Sequence, residues 1–392
     1  MYKRTLSNKL LQQASKYPLL AILGPRQAGK TTLAKLTFPH YQYVNLENWD
    51  LRTYAQDDPY SFLEQYNKNI ILDEIQHVPR LFSYLQAKVD MSNEKAQYIL
   101  TGSHNFLLMQ QISQSLAGRV AISHLLPLSL MEQHQANIDF NRIEETILHG
   151  FYPRIFADTI TPYDWYSNYI LTYIEKDVRQ LKNVLDLGQF QLFLKMCANR
   201  VGQLINLSQL ANDCGITHNT AKAWLNILEA SFILFQLRPH YQNYNKRLVK
   251  MPKLYFHDVG IACTLLGISS AEQLIAHQYK GALFENLIIT DLLKQQYNSG
   301  VIPNIYFWRD KNNHEIDCLL EIASELIAIE IKAGKTINSD YFTALTYWQK
   351  LSGQNKTCII YGGDQNQQRN THAVLSWEKL KLTNMVNYFS NG

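Results

Sequence analysis

Gly24, Gly29, Lys30 and Thr31 complete the pattern G-x-x-x-x-G-K-[ST] within Gly24-Pro25-Arg26-Gln27-Ala28-Gly29-Lys30-Thr31-Thr32. A loop of this composition can close its backbone N–H groups on phosphate oxygens, while the lysine reaches the β and γ phosphates and the threonine hydroxyl holds Mg²⁺. ATP with Mg²⁺ is therefore the expected ligand pair. Downstream, Asp73 and Glu74 end the apolar run Ile70-Ile71-Leu72. The first suits metal binding through water, and the second suits orienting or deprotonating the attacking water. Ser103 and Asn105 follow the apolar Tyr98-Ile99-Leu100, where they either sense the γ-phosphate or simply leave the strand in a turn. Arg119, next to Gly118, suits stabilising charge on the γ-phosphate, in its own subunit or a neighbour's; an ordinary surface arginine is the alternative.

A second set lies near the C-terminus: Glu285, Asp317, Glu330 and Lys332. Period-two alternation puts Glu330 and Lys332 on one face of a strand, and Asp317 belongs to the strand before it with Glu315 on its own face. Paired, these strands would gather two carboxylates, the Ile331 carbonyl and a lysine, with Glu285 joining from a helix. Oxygen ligands of this kind at Asp317 and Glu330 suit Mg²⁺ or Mn²⁺, and the lysine can position a hydroxide or stabilise charge on phosphorus.

The elements that must hold these groups are readable. Leu19–Leu23 is a continuous apolar run of the buried parallel-strand kind, and Leu33 and Leu36 begin a helical stripe, so the glycine loop joins a strand to a helix. Tyr41–Leu46 and Val120–Leu126 read as further strands, and 80–90 as a helix. From 140 to 190 the pattern is helical, with Tyr166, Tyr169, Ile170, Tyr173, Ile174 and Val178 as the apolar stripe; Arg179 reads as part of its solvated face. In 200–257, helices capped by Ser208 and Thr217 flank a turn, followed by apolar stretches Phe232–Leu237 and Lys253–Phe256 that suit a hairpin: a winged-helix pattern. Gly281 onward reads as an amphipathic helix. Ile305–Arg309 and His314–Glu321 form a hairpin, and Leu326–Lys332 is the next strand.

The 392 residues exceed what one core usually serves and suggest about two to four domains. A hydrophobic content of 46% with 18% charged residues is that of a globular chain, and the net charge of +4 confines any nucleic-acid surface to a local patch. That patch would be 230–257, where Arg238, Lys246, Arg247, Lys250 and Lys253 meet Tyr241 and Tyr244 without an acid. Lys246, Arg247, Lys250 and Lys253 are thus candidate DNA contacts; use of this segment as an interdomain or subunit contact is the alternative. The five cysteines form no C-x-x-C pair, which argues against both a disulfide framework and structural zinc. With no signal peptide pattern and no apolar run of about 18 residues, a soluble cytoplasmic protein without a membrane partner is expected.

The succession Gly-Pro-Arg-Gln-Ala-Gly-Lys-Thr-Thr, Leu-Asp-Glu-Ile-Gln, Leu-Thr-Gly-Ser and Leu-Ala-Gly-Arg-Val resembles the prokaryotic AAA-type ATP-binding proteins that carry a C-terminal domain of unknown function. The resemblance runs through the chain and implies ATP hydrolysis and a homo-oligomer. Asp317 followed by Glu330-Ile331-Lys332, with Glu285 on the preceding helix, resembles the PD-(D/E)xK nuclease superfamily. The expected fold is α/β: a P-loop AAA ATPase core (1–140), a helical lid plus winged helix (141–272), and a restriction-endonuclease-like domain (273–392). Two functions follow. In one, nucleotide state governs a DNA-binding, metal-dependent nuclease; in the other, the nuclease-like domain is non-catalytic and binds DNA or a protein that the residues do not specify.

Overall fold

The computed structural model describes residues 1–103, 109, 112, 114–158, 160–174, 186–240 and 249–390. They group into two compact units. One comprises Met1–Pro127, Ala230–Phe232 and Gln296–Val301; the other comprises Leu128–Glu229, Ile233–Gln295 and Ile302–Gly392. No helix among the described residues is long and apolar enough to cross a membrane.

The first unit is built on a five-stranded parallel sheet in the order β2-β3-β4-β1-β5, comprising β1 (Leu19–Leu23), β2 (Gln42–Asn45), β3 (Ile70–Asp73), β4 (Tyr98–Gly102) and β5 (Val120–His124). Every residue of β1 and β4 is buried, as strands covered on both faces require. Helix α1 (Leu6–Ala14) brings Leu6 and Leu10 to a core shared with Leu20 and Ile22 of β1 and with Leu33 and Ala34 of α2 (Lys30–Thr37). Burial of each large aliphatic side chain there contributes about 1.5–3 kcal/mol. Parallel strands share one C-terminal edge, so Leu23, Asp73 and Gly102 end side by side, at the edge where open α/β sheets bind ligands.

In the second unit the segment read as continuously helical breaks into Ile143–His149, Pro153–Ala157 and Pro162–Tyr169. The cause is local: Gly150 has a positive φ of 57°, and Pro153 and Pro162 each start a new helix. Val178 and Arg179 lie outside the described residues. Beyond them come α3 (Leu187–Ala198), α4 (Leu207–Asp213), α5 (His218–Ala230) and the antiparallel pair β6 (Leu234–Leu237) and β7 (Lys253–Phe256). The cap of α4 is Asn206, whose side chain accepts the Gln209 N–H at 3.1 Å, rather than Ser208; Thr217 accepts the Thr220 N–H at 3.1 Å as expected.

The long helix α6 (Lys280–Asn298) leads to a six-stranded mixed sheet in the order β12-β13-β11-β10-β9-β8. Its strands are β8 (Ile305–Arg309), β9 (Glu315–Ile322), β10 (Glu325–Lys332), β11 (Thr357–Tyr361), β12 (Gln367–Arg369) and β13 (His372–Ser376). The antiparallel run β8-β9-β10 continues into β11 and β13, which are parallel to β10. Trp308, Ile316, Ala328 and Ile359 from its strands pack with Leu345 and Trp348 of α7 (Thr343–Ser352).

Candidate functional site

The loop that follows β1 depends on its glycines. Gly24 has φ of 155°, and a Cβ there would sit 2.0 Å from the Leu125 carbonyl oxygen, so no side chain fits. Gly29 caps α2 at φ 95°, in the left-handed region. Lys30 is buried, and its Nζ donates to the carbonyls of Gly24 at 3.0 Å and Pro25 at 2.9 Å. Burial pulls its pKa down, against the opposing charges of Glu74 and Asp73. The ammonium is thus held inside the turn of its own loop.

Thr31 and Asp73 meet across the strand edge. The Thr31 hydroxyl donates to both carboxylate oxygens of Asp73, which also accepts the Tyr43 hydroxyl at 2.7 Å and the Thr101 hydroxyl. Burial, reinforced by the Asp73 hydrogen bond, pushes the Tyr43 pKa up, so Tyr43 remains a donor. Glu74 adopts φ 55° and ψ 46°, a conformation that costs a non-glycine residue about 1–3 kcal/mol and often marks a functional position. Its Oε2 accepts the Ser103 hydroxyl at 2.8 Å and Gln76 Nε2. Burial alone would raise the Glu74 pKa, but the Lys30 charge and the Gln76 and Ser103 donors hold it below the usual carboxylate range. An ionised carboxylate, a hydroxyl beside an aspartate and a desolvated lysine therefore stand at one sheet edge. The all-oxygen Thr31–Asp73 pair fits a hard divalent cation. Asn105 lies outside the described residues.

Arg119 corrects an expectation. It precedes β5, and its carbonyl accepts the Leu19 N–H at 3.3 Å at the start of β1, whereas the phosphate loop leaves β1 at Leu23. The two are separated by the length of that strand, about 13 Å. Its guanidinium is engaged by Asp90, Nε to Oδ1 at 2.6 Å and Nη2 to Oδ2 at 2.8 Å. Within its own chain Arg119 does not reach the loop.

The C-terminal set does converge. Lys332 Nζ lies 2.6 Å from Glu330 Oε2 and 3.2 Å from Asp317 Oδ2, and Asp317 accepts the Ile331 N–H at 2.8 Å. Burial and the neighbouring Asp317 raise the Glu330 pKa well above normal; the Lys332 and Lys253 charges lower that of Asp317 despite its burial. Glu330 Oε1 is buried with no donor against it. Glu285 accepts Lys253 Nζ at 3.0 Å and the Tyr255 hydroxyl, and Lys253 also pairs with Glu315 at 2.6 Å.

That geometry overturns the reading of Lys253 as a DNA contact. Only 3% of it is exposed, and its charge is spent on Glu285 and Glu315. Lys250 is exposed, while Lys246 and Arg247 lie outside the described residues. Among the described residues no group of three or more His, Cys, Asp or Glu is disposed to hold a metal. The set offers a cation two carboxylates at most, Asp317 and Glu330, and Lys332 Nζ already pairs with both.

Several neighbours escape sequence reasoning: Tyr43 and Thr101 on Asp73, Lys253 and Tyr255 on Glu285, and Arg4. Alternation along β2 beside the acid-ended β3 is a signal that points to Tyr43. Arg4 carries none. It is 5% exposed, and it donates to the Ala28 carbonyl at 2.8 Å and the Leu126 carbonyl at 2.6 Å.

Residues 16–134 match the family model described as AAA domain, and 140–272 and 280–380 match two domains of unknown function. An uncharacterized protein of Mycobacterium tuberculosis is 29% identical over 368 residues, covering 92% of this chain and 80% of that protein. An uncharacterized protein of Methanocaldococcus jannaschii is 22% identical over 330 residues, covering 76% and 71%. The structure of the Walker-type ATPase of Pyrococcus abyssi aligns at 16% identity with a TM-score of 0.47, covering 68% of this chain and 96% of that one. Together with the Gly24–Thr32 loop and the Thr31–Asp73 pair, the match over 16–134 supports an AAA-type ATP-binding domain in the first part of this chain.

Proposed function

We propose that the protein is a hydrolytic ATP switch of the AAA type. The observation that carries this reading is the contact of Thr31 with Asp73, next to an ionised Glu74 held by Ser103. Lys30 exchanges its loop carbonyls for phosphate oxygens, and Thr31 and Asp73 hold Mg²⁺, which when bound neutralises phosphate charge. Glu74 orients the attacking water and takes its proton, with Ser103 fixing the carboxylate. Arg119 serves a neighbouring copy, which makes a homo-oligomer part of the proposal. The test is ATP turnover by the wild type and by Lys30→Ala, which should lose nucleotide binding.

For the remainder we propose domains at 141–272 and 273–392. The helices α4 and α5 with the β6–β7 pair support a winged helix, on which exposed Lys250, with Lys246 and Arg247, would contact DNA. The convergence of Asp317, Glu330, Lys332 and Glu285 supports a restriction-endonuclease-like domain of the PD-(D/E)xK kind, with Asp317 and Glu330 holding Mg²⁺ or Mn²⁺ and Lys332 beside them. A second reading has its own support: Lys332 and Lys253 already neutralise these carboxylates, as in a non-catalytic domain that binds DNA or a protein. Incubation of DNA with the protein, ATP and either metal separates them. Cleavage that Asp317→Ala abolishes supports the nuclease; uncut single-stranded, duplex and branched DNA supports the scaffold. A cytoplasmic location belongs to the same proposal.

A further inference from the structure

Arg4 lies before the segment matched by the AAA model, in a stretch that the phosphate-loop motif does not include, yet its side chain is almost fully buried against that loop. One guanidinium spans two acceptors: Nη1 reaches the carbonyl of Ala28, just before the capping Gly29, and Nη2 reaches the carbonyl of Leu126, beyond β5. The other end of the loop is tied to the same segment, since the Leu125 N–H donates to the Leu23 carbonyl at 2.7 Å, and the Leu125 carbonyl fills the space that a side chain at Gly24 would need. The loop is therefore tied at both ends to 125–126, by the Leu125–Leu23 hydrogen bond before Gly24 and through Arg4 at Ala28.

The peptide between Ala28 and Gly29 is planar and trans, so its carbonyl and its N–H point in opposite directions. With the carbonyl bound by Arg4, the Gly29 N–H is fixed on the face away from Arg4, at the opening of α2. Rotating this peptide would break a charge-assisted bond and leave the guanidinium and the carbonyl without each other in a buried setting, so the peptide has one orientation before any ligand arrives. A loop that binds phosphate through backbone N–H groups gains from such pre-organisation, because the ordering does not have to occur on binding.

We propose that Arg4 is a positioning residue of the nucleotide site: it fixes the orientation of the Ala28–Gly29 peptide and thereby raises affinity for the phosphates of ATP and ADP alike. This rests on the reading of Gly24–Thr32 as the nucleotide site. A lysine cannot replace the fork, because a single ammonium on a linear stem does not reproduce its planar two-point geometry.

The test measures the affinity of the purified protein for ATP and ADP, with the thermal midpoint of the nucleotide-free protein recorded on the same samples. Arg4→Met should weaken both nucleotides by about tenfold or more, and Arg4→Lys should fall between it and the wild type. Leu6→Ala, in the same N-terminal region and in the core rather than on the loop, should lower the midpoint while keeping affinity within about threefold of wild type. If affinity instead tracks the midpoint across all three variants, or if Arg4→Met binds as wild type does, the proposal is overturned. Failure of the wild type to bind either nucleotide overturns the nucleotide reading itself, a result distinct from any variant effect. If Arg4→Met does not fold, the comparison of Arg4→Lys with Leu6→Ala decides alone.

Discussion

Thr31 and Asp73 are 42 residues apart in sequence, and the hydroxyl of one donates to both carboxylate oxygens of the other, at 3.1 and 2.9 Å. The contact puts the two expected metal-holding groups of the nucleotide site side by side. Asp73→Asn keeps the shape but removes the charge. It should cut the gain in ATP affinity on adding Mg²⁺ by roughly tenfold, read by nucleotide titration with and without the metal. An unchanged Mg²⁺ effect would remove Asp73 from the site.

Arg119 is predicted to matter only between copies. Arg119→Ala should bind ATP normally yet turn it over slowly, and mixing it with Lys30→Ala protein should restore part of the activity, because one partner supplies an intact loop and the other an intact arginine. A mixture as inactive as its components would assign Arg119 to its ion pair with Asp90 alone.

Lys253 supports the fold rather than a nucleic-acid surface. Lys253→Met leaves Glu285 without its buried cation, while Glu315 keeps Arg309 at 3.1 Å, and should cost about 3–5 kcal/mol in urea unfolding. Lys250→Ala, at an exposed position, should stay within about 0.5 kcal/mol. If the two variants unfold alike, the ion-pair account of Lys253 fails.

His124, beside the rings of Tyr297 and Phe232, has its pKa lowered by burial from 6.5 to about 4. A depressed folded-state pKa means that the unfolded chain takes up the proton first. The stability held above pH 6.5 is therefore lost as pH falls towards about 4, by up to about 3 kcal/mol. Unfolding curves across that window should show this slope in the wild type and not in His124→Phe.

The nucleotide loop was legible because its chemistry is local: strand, glycine turn, lysine and helix start are consecutive, and Asp73-Glu74 ends its own apolar strand. Glu330 and Lys332 were legible through strand alternation, which their 2.6 Å ion pair bears out. For Arg119 the strand order removes the own-subunit reading alone, since a residue preceding a parallel strand stands at the opposite edge from residues that follow one. Lys253 was misread because a basic composition does not reveal which lysine points inward. Arg4 was invisible because its acceptors lie 24 and 122 residues away, and no local pattern encodes such a contact.

The central claim, that Glu74 handles the attacking water of a hydrolysing ATP site, is tested most directly by single-turnover ATP hydrolysis in Glu74→Gln, with nucleotide affinity measured on the same preparation. The account predicts affinity within about threefold of wild type and a hydrolysis rate reduced by about 10²–10⁴-fold. Wild-type turnover in Glu74→Gln would contradict it.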